Sequence, residues 1–231
     1  MTNIPRSTSG QPAPANGTKL HLGCGQRYLD GYLNIDFPLN NHTVQQASVA
    51  DLHADICGLH YAPGSIAEVR LHHVFEHFRR PVASALLATW HGWLADGGRL
   101  HIEVPDMLRT LLTLLHPLRS FNDRAVAERH LFGSHEADWA AHYEGYTAKD
   151  LCHMVKCFGF EPIEIRRNGW KQTHNIEIIA VKPPGSALDH MTAARTFLRN
   201  FLVDDTEGEL ALLETWMVMF AAQYARGQAS K

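Results

Sequence analysis

The sequence predicts an α/β protein built on a mainly parallel sheet, and three observations carry this prediction. A short apolar strand at residues 20–22 runs directly into the glycine turn Gly23-Cys24-Gly25. A second short strand at residues 32–35 ends on Asp36, so a turn and a carboxylate reach the same edge of a sheet. Further along, strand-length apolar runs alternate with amphipathic helical segments, which is typical of parallel strands covered by helices.

Each element rests on a local signal. Seven segments are predicted as strands or short extended elements, at residues 20–22, 32–35, 51–56, 67–74, 99–104, 160–166 and 175–181. Five segments repeat apolar residues at helical spacing, at residues 81–96, 106–116, 148–158, 188–202 and 210–224. Pro81 suits a first helical turn, Asp106 suits an N-cap, and Thr147 with Asp150 forms an approximate capping box. We expect the last two strands to pair as an antiparallel edge.

Two stretches fall outside this alternation. Residues 117–146 have a weak, polar-aromatic pattern, which predicts a loop-rich insertion that serves as a lid or binding element. Pro183-Pro184-Gly185 marks a boundary. We therefore divide the chain into a disordered leader (1–17), a main domain (18–184) and a C-terminal helical extension (185–231). The apolar stripes of that extension must cover something, and both its own domain and a second copy in a homodimer remain open.

Composition limits the functional classes. The formal net charge is −3 with charges of both signs interspersed, which argues against nucleic acid or an anionic membrane as a partner. No apolar run reaches transmembrane length, and the leader lacks the hydrophobic segment of a signal peptide. The four cysteines form no C-x-x-C pair, which favours a reducing compartment, so we expect a cytoplasmic protein.

The glycine turn and Asp36 predict a nucleoside-containing cofactor. Glycines let a ligand lie against the backbone, and an acid at the end of the next strand can accept both ribose hydroxyls. A dinucleotide fingerprint needs a third glycine where Tyr28 stands and its acid about 20 residues further on. Asp36 comes too early for that, so S-adenosylmethionine is favoured over NAD, which remains the alternative. Asp55-Ile56 suits a purine, with a polar group for the amine and an aliphatic wall for the ring.

Five motifs together resemble the class I S-adenosylmethionine-dependent methyltransferases, in particular the type 11-like branch of predicted methyltransferases. They are LHLGCGQRYLDGYLNID, ADI, EVRLHHVFEHF, GGRLHIEVPD and HYEGYTAKDL, within residues 20–182. The resemblance implies a Rossmann-like sheet of seven strands, the last antiparallel, with S-adenosylmethionine over the carboxyl ends of the first strands. The connection between the first two strands is too short for a full crossover helix, so we expect a stunted first helix.

The resemblance also implies which residues form the site. The expected cofactor contacts are Leu22, Gly23, Cys24, Gly25, Tyr28, Asp36, Phe37, Asp55, Ile56, His72 and His73. The expected reaction is direct methyl transfer to a small-molecule or sugar-type acceptor, in which the protein mainly aligns the acceptor. His142, His73 and His135 are the candidate general bases. A non-catalytic module that binds S-adenosylmethionine is the alternative from another class.

The run from His73 to His77 also spells H-x-x-E-H, the inverted zinc-protease signature. On a helix, His73 and His77 would share a face and could hold zinc with Glu76 as base. The run follows a strand directly, however, and the sequence offers no convincing third ligand. We therefore predict no metal.

Overall fold

The computed structural model of the chain describes residues 17–41 and 43–228, so the predicted leader lies outside the described residues except for Gly17. The strands are β1 (Thr18–Leu22), β2 (Leu33–Asp36), β3 (Leu52–His53), β4 (Ile66–His72), β5 (Leu94–Pro105), β6 (Glu161–Trp170) and β7 (Thr173–Val181). They form one sheet in the order β3-β2-β1-β4-β5-β7-β6. Strands β1 to β5 pair in parallel, and β7 is antiparallel to both of its neighbours. The predicted sheet with a reversed last strand is confirmed.

Six α-helices accompany the sheet in the described part of the chain. They are α1 (Arg80–Trp93), α2 (Met107–Leu115), α3 (Phe121–Phe132), α4 (Ala148–Cys157), α5 (His190–Arg199) and α6 (Glu207–Gln228). The Asp106 side chain accepts a hydrogen bond from the Arg109 amide as N-cap of α2, and Thr147 does the same for the Asp150 amide in α4. Both predicted caps are present. Among the described residues, no helix has both the length and the apolar character needed to cross a bilayer.

The connection between β1 and β2 contains no helix. Residues 23–32, all of them described, form turns and irregular backbone. The expected stunted first helix is thus absent altogether, which leaves the turn directly against the ends of the strands.

The two faces of the strands differ in chemistry. Alternate residues such as Leu20, Val69 and Ile102 enter one apolar core together with residues of α1, α4, α5 and α6. The residues between them carry polar side chains that bond to one another. His21 Nδ1 lies 3.0 Å from Asn34 Oδ1, and the Tyr32 hydroxyl donates to Glu68 at 2.7 Å. Histidines such as His21 therefore lie on a polar face of the sheet.

The C-terminal helices pack on the main domain. Phe197 of α5 and Met217 and Phe220 of α6 are buried in the same core as the sheet. The Gln223 amide donates to the carbonyl of Cys57 at 2.8 Å, which fixes the end of α6 beside β3. The apolar face that raised the question of a homodimer is thus covered within the chain, and the dimer itself stays an untested prediction.

Helix α3 corrects the predicted loop-rich insertion. Ser120 and Asp123 form a full capping box at its start, and it ends at Gly133, whose φ is +91°. The pattern was weak because this helix has almost no apolar face: only Ala127 is buried among its described residues. The remainder of the insertion contains one short 3-10 turn, Asp138–Ala140.

Two boundaries also differ from the prediction. Helix α1 ends at Trp93, and β5 begins at Leu94 rather than at residue 99, because Leu94 already pairs with Ile66 of β4. Strands β6 and β7 continue into a tight turn at Lys171, whose φ is +53°. Most of the residues between the two predicted strands, 167–174, therefore belong to the strands of this hairpin.

Candidate functional site

A cavity of about 500 Å³ opens at the carboxyl ends of the parallel strands. Its lining combines the glycine turn after β1, the end of β2, the segment after β3 and the segment after β4. Residues from the insertion close another side of it, among them Glu136 and Trp139. In open α/β sheets this edge is the usual ligand position.

The glycine turn is fixed by β2. The amides of Gly23 and Cys24 both donate to the carbonyl of Ile35, at 2.9 and 3.0 Å. Gly23 has a φ of +66°, and a Cβ at that position would lie 2.4 Å from Val74 Cγ2. Gly25 has a φ of +54° with open space where its Cβ would be. Both glycines are needed for the backbone conformation, but only Gly23 is also needed for close packing.

Asp36 occupies the end of β2 and borders the cavity. Its carboxylate accepts one hydrogen bond from the Gly25 amide and one from the Phe37 amide, each at 2.8 Å. The residue is 6% exposed. A carboxylate oxygen can accept more than one hydrogen bond, so ligand hydroxyls that enter the cavity can share Asp36 with these amides.

The segment after β3 forms a second wall. Asp55 caps the short turn Ile56–Gly58 by accepting from the Cys57 amide at 2.9 Å. Its second oxygen pairs with Arg226 of α6 at 2.8 Å. Asp55 and Ile56 both line the cavity. The C-terminal helix therefore supports the wall that a flat ring would contact.

The segment after β4 supplies two histidines to the lining, His73 and His77. His73 has a φ of +53°, and its ring nitrogens lie 3.3 Å from Glu76 Oε1 and 3.4 Å from Glu103 Oε1. Burial acts to lower the pKa of His73, but the two carboxylates outweigh it and raise the pKa to about 9. His73 is therefore protonated at neutral pH.

A cluster around Glu76 lies directly behind this end of the cavity. Glu76 is fully buried, and His142 Nε2 lies 3.9 Å from its Oε1. The rings of His77 and His142 meet edge to face with centroids 4.6 Å apart. Burial acts to raise the pKa of Glu76. The contacts with His73 and the neighbouring histidines outweigh burial and lower that pKa. Burial lowers the pKa of His142.

The structure brings together most of the residues expected to contact a cofactor. Those that line the cavity are Gly23, Gly25, Asp36, Phe37, Asp55, Ile56 and His73. Each follows a strand end, which is why their grouping could be predicted. The prediction that they contact a cofactor remains a prediction.

Four expected contacts lie outside this lining, as far as the described residues show. Leu22 is buried in the core, and Cys24 is 3% exposed with its thiol pKa raised by burial to about 12. Tyr28 is half exposed, with its hydroxyl 3.5 Å from Asp51. His72 joins the polar sheet face, where Nδ1 is 3.3 Å from His21 Nε2. Adjacent strand residues point to opposite faces, so His72 and His73 separate.

The three candidate bases occupy different positions. His73 lines the cavity. His142 is not part of the lining, but its ring contacts that of His77, which is. His135 is exposed, and its Nε2 donates to the Phe132 carbonyl at 3.0 Å. Sequence reasoning did not place His77 or Phe78 in the cavity lining. The H-x-x-E-H run was the available signal for His77, because it marked a histidine soon after the end of a strand.

Comparison with known proteins supports the fold. No protein-family model and no curated protein matches this chain. Among solved structures, 1,6-didemethyltoxoflavin-N1-methyltransferase of Burkholderia thailandensis, crystallised with 1,6-didemethyltoxoflavin and S-adenosylhomocysteine, is 15% identical. The match covers 73% of this chain and 72% of that one, with a TM-score of 0.51. A Haloferax volcanii protein in complex with the Trm112 methyltransferase activator is 14% identical, over 77% and 86% of the two chains, with a TM-score of 0.52. The chain thus has the fold of the class I methyltransferases.

Proposed function

We propose that this protein is an S-adenosylmethionine-dependent methyltransferase that acts on a small molecule. The observation that carries the proposal is the position of Asp36, an ionisable side chain at the end of β2 that lines the cavity and is tied to the glycine turn by the Gly25 amide. A carboxylate held in this way accepts the two hydroxyls of a ribose, as in other sheets that bind nucleosides at this edge.

The rest of the cavity suits the same cofactor. Ile56 provides an apolar wall for a purine, and Asp55 provides a carboxylate at its edge. Gly23 and Gly25 leave room for the methionine part beside the turn. The Burkholderia relative in fold was crystallised with S-adenosylhomocysteine, the product form of this cofactor. These points support S-adenosylmethionine as the cofactor.

The proposed chemistry is direct displacement at the methyl carbon. The cofactor supplies the electrophile, so the protein has to align the acceptor and exclude competing water. His73 lines the cavity and is the candidate residue best placed to contact the acceptor, as a hydrogen-bond donor rather than as the general base, because Glu76 and Glu103 raise the pKa of its ring. We assign His142 to a place behind His77, whose ring it contacts. His135 is the least suitable of the three candidate bases, because its ring already bonds to the Phe132 carbonyl.

A small-molecule acceptor fits the end of the cavity near the insertion. Phe78 and Trp139 provide aromatic surface there, and Glu136 adds a carboxylate. The Burkholderia protein was crystallised with the small molecule 1,6-didemethyltoxoflavin. Sugar-type acceptors belong to the same proposal, because polar-aromatic walls bind sugars as well as heterocycles.

Two alternatives make different predictions. An NAD-dependent enzyme would require a pyrophosphate site, but Tyr28 stands where the third glycine of a dinucleotide fingerprint belongs. A non-catalytic binding module would bind S-adenosylmethionine without turnover. The two alternatives and the proposal are distinguished by cofactor binding and methyl transfer measured together.

The experiment is a transfer assay with S-adenosylmethionine labelled in the methyl group. The purified chain is incubated with panels of nitrogen heterocycles, phenols and sugars, and products are detected by label and mass. We expect one panel to gain a labelled methyl group, and we expect the Asp36→Ala variant to lose that gain. Binding of S-adenosylmethionine with no transfer to any panel would favour the binding module, and no binding would contradict the proposal.

A further inference from the structure

The H-x-x-E-H run adopts a different geometry from the one its spacing suggests. His73 has a φ of +53° and lies outside the short 3-10 turn Phe75–His77. His73 and His77 therefore do not share one face of an α-helix. Instead, Glu76 and His77 approach His142, which the chain brings in from the insertion. Tertiary structure thus brings a third possible donor residue beside Glu76 and His77.

Glu76 is an unusual carboxylate. It is fully buried, and among the residues that the structure describes its Oε1 is paired with histidine rings, whereas its Oε2 has no hydrogen-bond partner. The nearest ring nitrogens belong to His73, at 3.3 Å, and His142, at 3.9 Å. Both distances are measured to Oε1, so neither of these ring contacts involves Oε2. Buried charges are normally hydrogen-bonded, paired closely or bound to a metal.

The two histidines present suitable atoms. His77 Nδ1 donates to the carbonyl of Ala141 at 3.1 Å, which leaves Nε2 as the ring nitrogen with a free lone pair. A hydrogen bond from one ring nitrogen to a backbone carbonyl is the arrangement that usually orients a metal-binding histidine. His142 Nδ1 is buried and has no hydrogen-bond partner within residues 17–41 and 43–228.

We propose that Glu76, His77 and His142 bind one divalent transition-metal ion, with zinc as the best match. One donor atom from each residue lies within 4.8 Å of the others. Two imidazoles and one carboxylate form a donor set that zinc uses in open sites with a fourth position for another ligand. Small side-chain rotations are required, because ligands about 2.0–2.2 Å from zinc lie closer together than 4.8 Å.

A second histidine-carboxylate cluster provides a useful contrast. His72, His101 and Glu177 on the polar sheet face also lie within metal-binding distance of one another. There, Arg70 Nη2 is 3.7 Å from Glu177, and Arg70 Nε lies 3.1 Å from His72 Nε2. His101 is already bonded to Glu177. The positively charged guanidinium of Arg70 competes with a metal ion for Glu177. We therefore assign the metal site to the cluster around Glu76.

The position of the ion gives it a role. His77 lines the cavity, so an ion held by its Nε2 would lie at the end of the cavity that we assign to the acceptor. There it would bind an acceptor oxygen and favour its deprotonated form. This role rests on the proposed function, whereas metal binding itself does not.

The test is a zinc titration of chelator-treated full-length protein, followed by calorimetry and by competition with a chromogenic chelator. We expect one zinc ion per chain, and we expect Glu76→Gln and His142→Ala each to weaken binding by about a hundredfold or more, because each removes a ligand. His116→Ala is the matched control, since His116 is exposed at the end of α2 and should leave zinc affinity unchanged.

Cobalt provides a readout that does not depend on the variants. Wild-type protein loaded with Co²⁺ should show the visible absorption of a low-coordinate nitrogen-oxygen site, and circular dichroism confirms that each variant is folded. Failure of the wild type to bind zinc or cobalt would overturn the proposal. Equal zinc affinity of folded Glu76→Gln and wild type would also overturn it. Because no cofactor is present, these results are independent of methyl transfer.

Discussion

The Gly25 amide donates a hydrogen bond of 2.8 Å to Oδ2 of Asp36, so the turn after β1 and the end of β2 form one unit. The same carboxylate accepts from the Phe37 amide through its other oxygen. The acid is thereby oriented before any ligand arrives. Pre-oriented groups lose less freedom on binding, which favours affinity.

Replacing Asp36 should weaken cofactor binding. Hydrogen bonds to a charged group contribute roughly 1.5–3 kcal/mol each, so we expect Asp36→Ala to reduce affinity for S-adenosylhomocysteine by at least about tenfold. Asp36→Asn keeps an acceptor for the Gly25 amide and should lose less. Calorimetry measures both, with Asp30→Ala as the exposed control. Wild-type affinity in Asp36→Ala would refute the assignment.

The two glycines of the turn should respond differently to alanine. Gly23→Ala places a Cβ 2.4 Å from Val74 Cγ2 as well as at positive φ, so we expect a clear loss of folding stability. Gly25→Ala meets no atom within 4 Å and should cost only about 1 kcal/mol of strain, while its Cβ hinders a ligand beside the turn. Denaturant unfolding and cofactor calorimetry separate the effects. A larger stability loss for Gly25→Ala would contradict this account.

The C-terminal helix should support the purine end of the cavity. Gln223 is 9% exposed and donates to the Cys57 carbonyl at 2.8 Å, next to Ile56. We expect Gln223→Ala to leave that carbonyl unpaired, to cost about 1–3 kcal/mol of stability and to weaken cofactor affinity several-fold. Gln228→Ala, in the exposed last turn of α6, is the matched control. Identical unfolding curves and cofactor affinities for both variants would show that Gln223 does not support the purine end of the cavity.

His91 should make the fold sensitive to acid. Burial and the neighbouring Lys182 lower the pKa of this histidine from 6.5 to about 4. The unfolded chain then binds a proton at higher pH than the folded one, so stability falls as pH drops from 6.5 towards 4. His91→Asn should remove up to about 2 kcal/mol of the loss between pH 6.5 and 5. Urea unfolding at several pH values checks this, and an unchanged acid slope would count against it.

Local signals explain which parts of the fold could be predicted. The glycine turn, Asp36 and the N-caps at Asp106 and Thr147 depend on neighbours in sequence, and all of them occupy the expected positions. Helix α3 was not expected because capping at Ser120, rather than an apolar stripe, defines it. A capping box can therefore mark the start of a helix even where helical periodicity is absent.

The site was harder to predict where it depends on long-range packing. The separation of His72 from His73 follows from strand alternation, but the positive φ of His73 cannot be read from its neighbours. The approach of His142 to Glu76 joins residues far apart in sequence. The H-x-x-E-H run therefore marked two members of a histidine-carboxylate cluster, whereas its third member, His142, comes from tertiary structure.

Isothermal calorimetry shows whether the cavity beside Asp36 binds S-adenosylmethionine. Purified chain, first checked by mass spectrometry for a co-purified ligand, is titrated with S-adenosylmethionine, S-adenosylhomocysteine and NAD. We predict micromolar binding of the first two, no binding of NAD, and loss of affinity in Asp36→Ala. No binding of either sulfur compound to ligand-free protein, or tighter binding of NAD, would contradict the claim.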